Sequence, residues 1–143
     1  MVMGNTKVLF LCTGNSARSQ MSEALLRKYA GDKYDVYNAG LKPQDINPLA
    51  RQVMLEIGIS LEGQYAKHVS EYMGKLHFGY LIIVCSDAEK VCPSTFPGIS
   101  HHLRWAFDDP VMFDGPKDEQ LQKFREVRDQ IDKRIKEWLG SKN

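Results

Sequence analysis

The stretch that decides the fold is Lys7 to Ser19, which reads KVLFLCTGNSARS. After the lysine, its first residues are apolar and predict a buried β-strand, and the residues after Cys12 are typical of a loop. From residue 19 to residue 30, apolar side chains recur at helical spacing. The stretch is therefore predicted to run from a strand, through a glycine-containing loop, into a helix.

The loop carries the pattern Cys-x5-Arg-Ser. Successive backbone N–H groups above a helix N-terminus can form an anion-binding nest. Gly14 is expected to supply a backbone angle denied to other residues, and Asn15 tolerates left-handed geometry. The planar guanidinium of Arg18 fits a tetrahedral oxyanion. The same positive field favours the thiolate of Cys12, which would make it a nucleophile, and Ser19 can donate its hydroxyl to that sulfur.

An alternative interpretation is purely structural. Cys12 would then be a buried cysteine at the end of a strand, and Arg18 a solvated helix residue. The complete strand–loop–helix context favours the catalytic interpretation, because a motif is only as strong as the structure around it.

The rest of the chain alternates between predicted strands and helices. Strands are predicted at 34–38, 80–84 and 103–107, the first of them stopped by Ala39-Gly40. Helices are predicted from Pro48 to a stop at Gly58, over 70–76, and from 118 onward. This order predicts one α/β domain spanning residues 1–143, with a mostly parallel sheet and helices on both faces.

Three chemical features follow predicted strands directly: Cys12, Cys85 and the run Asp108-Asp109-Pro110. Ligands of such sheets bind beyond the carboxyl ends of the strands. We therefore expect all three features to meet at one edge of the sheet.

Composition excludes several classes of protein. Hydrophobic residues make up 43% and charged residues 26% of the chain, which argues against disorder. A net charge of +1 gives no reason to expect nucleic acid or an anionic membrane as partner. No apolar run is long enough to span a bilayer and no secretory signal is evident, so a cytoplasmic location is expected. The odd number of cysteines argues against a static disulfide framework, and the histidines do not fit zinc-site spacing.

The segment CTGNSARSQMSEA resembles the phosphate-binding loop of low-molecular-weight protein tyrosine phosphatases and of the thioredoxin-coupled arsenate reductases that share their fold. The segments VCSDAEKVCP and WAFDDP look like the reductase branch. The resemblance implies a four-stranded parallel sheet and reduction of arsenate, with phosphate as an analogue. It implies thioredoxin as reductant, with a glutathione-based system as the alternative. The implied substrate-binding residues are Thr13, Gly14, Asn15, Ser16, Ala17, Arg18 and Ser19.

The resemblance also implies a disulfide relay. Cys12 would form an adduct with arsenic, Cys85 would attack Cys12 and release arsenite, and Cys92 would attack Cys85 and leave a disulfide for thioredoxin. The alternative is that Cys85 and Cys92 are unrelated buried thiols. If 85–92 is helical, the two Cα atoms lie roughly 10 Å apart. A disulfide needs less than about 7 Å, so that helix would have to unwind.

Asp109 precedes Pro110, and an Asp-Pro after the last strand supplies the general acid in the phosphatase fold that this chain resembles. Such a carboxyl could protonate a leaving oxygen or hydroxide. The alternative is a simple turn, since Asp-Asp-Pro is a good turn sequence. Asp108 is interpreted as structural.

Three positions depart from the pattern of the family. Ala17 stands where many relatives have a second cysteine. Asn38 and Lys67 stand where some reductases have Ser and Asp, near a potassium site that also uses residues matching Asn15 and Glu23. A lysine could replace that cation with its own charge, so no metal and no cofactor are predicted.

Two other functions compete with arsenate reduction. A tyrosine phosphatase would use Cys12, Arg18 and Asp109, but a phosphotyrosine pocket needs aromatic walls, and no aromatic residue follows Pro110 until Phe113. A non-catalytic oxyanion-binding redox sensor is the third interpretation. The protein is expected to be a monomer.

Overall fold

The computed structural model describes residues 5–86 and 98–142. Its strands are β1 (Thr6–Cys12), β2 (Tyr34–Gly40), β3 (Phe78–Ile83) and β4 (Ile99–Arg104). Its α-helices are α1 (Arg18–Ala30), α2 (Pro48–Leu55) and α3 (Lys117–Ser141), and short 3-10 helices span Val69–Glu71 and Pro110–Met112. The strands form one sheet in the order β2-β1-β3-β4, and every neighbouring pair is parallel. The predicted four-stranded parallel α/β fold is confirmed.

Strand β1 occupies the interior of the sheet because both of its faces are apolar. Residues 8–12 are all buried, as expected for a parallel strand with a neighbour on each side. Leu11 pairs with Ala39 of β2 and with Ile83 of β3. The loop that follows Cys12 therefore starts at the centre of the carboxyl edge of the sheet.

The two faces of the sheet are covered by different elements. On β2, the Asn38 side chain bonds to Glu23 of α1, whereas its neighbour Tyr37 packs its ring against Tyr72. Successive strand residues point to opposite faces, so α1 and Tyr72 lie on opposite sides of the sheet. Trp138 of α3 contacts the ring of Tyr34, which lies on the same face as Asn38. Helices α1 and α3 thus share one face, and the segment after Val69–Glu71 covers the other.

The caps and the apolar face of the helices follow the sequence prediction. The Asn47 side chain accepts the backbone N–H of Leu49 at 2.9 Å, and Gly58 has a φ of +77° after the end of α2. In α3 the predicted stripe is buried at Phe124, Val127, Ile131, Ile135 and Trp138. Leu121, at the start of that stripe, is half-buried.

Three predicted boundaries are wrong. The last strand is Ile99–Arg104 and not 103–107, because Trp105 and Phe107 are buried in the core as the chain leaves the sheet. This edge strand contains an exposed His101 and a half-buried His102, so it does not form the continuous apolar run on which the prediction relied. The stop predicted at Ala39-Gly40 is absent, since Gly40 pairs with Cys12.

The helix predicted over 70–76 is also shorter than expected. It is a single 3-10 turn, Val69–Glu71, followed by Gly74 with a φ of +79°. A left-handed residue at that position is incompatible with a continuing α-helix. Within residues 5–86 and 98–142, no helix is long and apolar enough to span a membrane.

Candidate active site

The carboxyl ends of three strands bring the predicted residues together. Cys12 ends β1, Cys85 is the second residue after the end of β3, and Asp109 follows β4. A cleft of about 660 Å³ opens at this edge, and Asp109 and Ser86 line it together with residues of the 12–19 loop. The expectation of one shared edge is confirmed.

The backbone of the loop is turned so that its carbonyls face away from the cleft. The carbonyl oxygens of residues 13–16 accept hydrogen bonds from outside the loop. Their donors are the backbone N–H groups of Leu41, Lys42, Gln44 and Asn47 and the side-chain amide of Gln20. In a trans peptide the next N–H points the opposite way, so the N–H groups of residues 14–17 converge on the centre of the loop. This is the geometry of an anion nest.

Asn15 is the residue that sets the shape of the loop. It is fully buried and has a φ of +54°, in the left-handed region. Gly14 is not among the residues with positive φ, so the prediction that it supplies the special angle is wrong and Asn15 supplies it. The Asn15 Oδ1 accepts the backbone N–H of Lys67 at 2.8 Å, which identifies Nδ2 as the donor. Nδ2 then donates to Ser19 Oγ at 2.7 Å and Asn38 Oδ1 at 2.8 Å.

Cys12 is a buried free thiol held by two of these groups. The backbone N–H of Asn15 donates to its Sγ at 3.1 Å, and Ser19 Oγ lies 3.0 Å from the same sulfur. Because Ser19 Oγ already accepts from Asn15, its own proton is available for the sulfur. Two donors aimed at one sulfur stabilise a thiolate.

Arg18 is buried beneath the cleft, with only 2% of its surface exposed. Its Nη1 donates to the Phe107 carbonyl at 3.2 Å, and its Nη2 lies 3.4 Å from Asp109 Oδ2. The other oxygen of Asp109 accepts the backbone N–H of Val111 at 3.1 Å. Both interpretations of Asp109 are therefore compatible with its position, since one oxygen caps a turn and the other faces the arginine.

Asp108, interpreted from the sequence as structural, lines the same cleft as Asp109 but pairs with Lys123. Its carboxylate lies 3.1 Å from Lys123 Nζ and its side chain is 73% exposed.

Cys85 lies beside the same loop. It is fully buried, and its Sγ is 3.8 Å from Thr13 Oγ1. Cys85 is disulfide-bonded in this structure. Cys92 lies outside the described residues. The distance between the Cα atoms of Cys85 and Cys92 therefore stays a prediction.

Sequence reasoning missed the residues that support the loop from behind. A Cβ on Gly40 would come within 2.6 Å of the Asn15 Cβ and 2.9 Å of the Thr13 carbonyl oxygen. Gln20 is fully buried and bonds Asn15 O, Tyr65 O and the Asn38 amide. No local pattern marks these positions, because their partners come from distant segments of the chain.

A buried ionic group lies behind the loop. Burial raises the pKa of Glu23, although Arg27 and Lys67 act in the opposite direction. Burial lowers the pKa of Lys67, which Glu23 and Glu71 counteract. Across the described ranges, no three His, Cys, Asp or Glu side chains are grouped so that they could hold a metal ion.

In sequence, this chain is similar to a phosphatase family and to arsenate reductases. A family model for low molecular weight phosphotyrosine protein phosphatase matches residues 7–143. The arsenate reductase of Halalkalibacterium halodurans is 44% identical over 134 residues, covering 92% of this chain and 94% of that protein. The arsenate reductase of Bacillus subtilis is 38% identical over 137 residues, covering 95% of this chain and 96% of that protein.

Solved structures of arsenate reductases are also similar to this chain. A structure described as an arsenate reductase in the phosphate binding state has a TM-score of 0.75 at 27% identity, covering 95% of this chain and 98% of that one. The thioredoxin-dependent arsenate reductase of Corynebacterium glutamicum has a TM-score of 0.70 at 30% identity, covering 99% of this chain and 63% of that one.

Proposed function

Because the chain belongs to the low molecular weight phosphotyrosine protein phosphatase family, we propose that it is an arsenate reductase with Cys12 as nucleophile and Cys85 and Cys92 as the resolving pair. The observation that carries this proposal is the burial of Cys85 against Thr13 of the Cys12 loop. A phosphatase needs no second cysteine there, whereas a reductase needs a thiol within reach of the nucleophile.

The loop prepares the first step. The inward N–H groups of residues 14–17 and the guanidinium of Arg18 bind the arsenate oxygens. The Cys12 thiolate attacks arsenic and forms an S–As bond, and one oxygen leaves. Asp109 Oδ2 lies close to Arg18 and lines the cleft, so its carboxyl can protonate that oxygen, which leaves as water.

The second step is the reduction itself. The Cys85 thiolate attacks Cys12 Sγ, the S–As bond breaks, and its electron pair moves to arsenic. Arsenic passes from the pentavalent to the trivalent state and leaves as arsenite, while Cys12 and Cys85 form a disulfide.

The third step frees Cys12. Cys92 attacks Cys85, Cys12 departs as a thiolate, and a Cys85–Cys92 disulfide remains. A dithiol reductant then restores both thiols, so the balance is one arsenate and one dithiol converted to arsenite, a disulfide and water. Thioredoxin is the proposed reductant, and a cytoplasmic monomer the proposed form of the enzyme.

The test starts from pre-reduced protein, since a disulfide-bonded Cys85 has no thiolate to offer. Arsenate reduction is measured with thioredoxin and, separately, with a glutathione-based system. We expect turnover with thioredoxin, no turnover for Cys12→Ser, and loss of multiple turnover for Cys85→Ser and Cys92→Ser. Undiminished turnover in both of the last two variants would disprove the relay. Binding of arsenate without turnover in the unsubstituted protein would favour the redox-sensor alternative.

Hydrolysis of aryl phosphates is a second candidate activity that one observation favours. Phe113 and Met112 line the same cleft as Asp109 and Thr13, so an aromatic wall stands beside the anion loop. The sequence-based argument that such a wall is lacking is therefore weakened. Cys85→Ser should retain hydrolysis of an aryl phosphate, because that reaction needs only Cys12, Arg18 and an acid. Loss of hydrolysis in properly folded Cys85→Ser would contradict this second activity.

A further inference from the structure

Lys42 is a lysine on the rim of the cleft that the proposed mechanism does not use. It lies in the segment that follows β2, and its exposed side chain lines the cleft of about 660 Å³. Backbone hydrogen bonds hold this segment against the anion loop. The N–H of Lys42 donates to the Thr13 carbonyl at 2.8 Å, and the N–H of Gln44 donates to the Gly14 carbonyl at 2.9 Å. The backbone at position 42 is therefore fixed beside the loop without any help from the lysine side chain.

The other charges of the cleft are paired. Besides Lys42, the ionisable side chains that line it are Asp108, Asp109 and Lys123. Lys123 Nζ lies 3.1 Å from Asp108 Oδ2, and Asp109 Oδ2 lies 3.4 Å from the buried guanidinium of Arg18. Within residues 5–86 and 98–142, no carboxylate forms an ion pair with Lys42. Its ammonium therefore adds a positive charge to the cleft that no described side chain balances.

An unbalanced charge at the mouth of a cleft acts on ligands before they reach the anion loop. The low-dielectric walls of a cleft focus the field, and this raises the rate at which ions of opposite sign enter it. Arsenate, phosphate and aryl phosphates are all anions at neutral pH. A lysine carries its charge on a flexible stem, so the ammonium can follow an anion from the rim toward the loop.

We propose that Lys42 is a specificity-determining residue, which draws anionic substrates into the cleft toward the Cys12 loop. This role rests on the proposed function, because it concerns the entry of the substrate of that reaction. It is distinct from the role of Arg18. The guanidinium of Arg18 is buried and is fixed by Phe107 and Asp109, so it holds the bound oxyanion. The exposed ammonium of Lys42 acts on the anion as it arrives.

The first measurement needs no oxyanion. Cys12 of the reduced protein is alkylated in phosphate-free buffer with iodoacetate, which is an anion, and separately with iodoacetamide, which is neutral, and the modified residue is identified by mass spectrometry. The ratio of the two rates reports the charge of the cleft, because any change in the thiolate fraction of Cys12 cancels in it. At about 0.1 M salt, we expect this ratio to fall about threefold in Lys42→Gln and about tenfold in Lys42→Glu. The second substitution changes the charge twice as much, so it doubles the effect on the logarithm of the ratio.

The second measurement follows the oxyanion itself. The phosphate concentration that halves the iodoacetamide rate should rise by the same factors in the two variants. For arsenate, kcat/KM should fall by these factors, with the change in KM rather than in kcat, because capture and not chemistry is affected. At about 1 M salt the Debye length shrinks from about 10 Å to about 3 Å, so the effects should nearly vanish. Lys42→Arg should retain the preference for iodoacetate, because it keeps the charge.

Lys33→Glu is the matched control. Lys33 is exposed and directly precedes β2, at the opposite edge of the sheet, so its substitution changes the net charge of the protein equally but leaves the cleft unaltered. An unchanged ratio in Lys42→Glu, an equal fall in Lys33→Glu, or an effect that persists at about 1 M salt would overturn the proposal. A ratio that falls as expected in a protein that does not reduce arsenate would instead refute the proposed function and leave the role of Lys42 standing.

Discussion

Replacing Gly40 by alanine is the sharpest perturbation that the structure offers. The added Cβ would lie 2.6 Å from the Asn15 Cβ, 2.9 Å from the Thr13 carbonyl oxygen and 3.1 Å from the Asn15 nitrogen. Ordinary contacts begin at 3.4 Å, so the atoms must separate by about 0.8 Å (3.4 − 2.6). These neighbours are backbone or Cβ atoms and cannot rotate away.

The displacement has two consequences. Overpacking at a site that cannot relax lowers the free energy of unfolding by about 1–3 kcal/mol. A shift of Asn15 also displaces the backbone N–H that donates to Cys12 Sγ at 3.1 Å, which weakens that hydrogen bond. Misplacing a catalytic group by about 1 Å can reduce turnover about a hundredfold, so we expect a tenfold to hundredfold loss.

Urea unfolding and arsenate turnover are measured on the same preparations. Gly140→Ala is the matched control, because nothing lies within 4 Å of its added Cβ near the end of α3, and it should not lower the free energy of unfolding. Gly40→Ala with the stability and the turnover of the unsubstituted protein would refute the argument that Gly40 shapes the loop.

Three further predictions concern charge. Asp109→Asn should keep the N–H bond of Val111 but lose the acid, so turnover should fall about 10²–10⁴-fold while phosphate affinity is retained; near-normal turnover would exclude Asp109 as the acid. Arg18→Lys should weaken the protection of Cys12 by phosphate against alkylation about tenfold, because the planar fork is lost, and equal protection would contradict that role. Burial raises the pKa of Glu23 above its ordinary 4.5, so the contribution of this group to stability is full below pH 4.5 and is lost as the pH rises through the folded-state pKa. In Glu23→Gln, the free energy of unfolding in urea should therefore decline less over that pH range. An unchanged decline would contradict the role assigned to Glu23.

The order of elements and the chemistry of the loop were readable from local patterns. The run KVLFL predicts β1 because a strand buried on both faces must be apolar throughout, and Asn47-Pro48 predicts the start of α2 because capping is a local interaction. The last strand was predicted to start four residues and to end three residues too late, since the apolar residues Trp105 and Phe107 of LRWAF pack in the core beyond the sheet.

The sequence by itself therefore determined the fold class and the candidate residues Cys12, Arg18, Cys85 and Asp109, because each lies in a short pattern tied to its own strand or helix. Tertiary structure decided the rest. The left-handed residue is Asn15 and not Gly14, Gly40 belongs to a strand, and Gln20 lies buried behind the loop. Each of these depends on contacts between segments far apart in the chain, and such contacts leave no periodicity or spacing in the sequence.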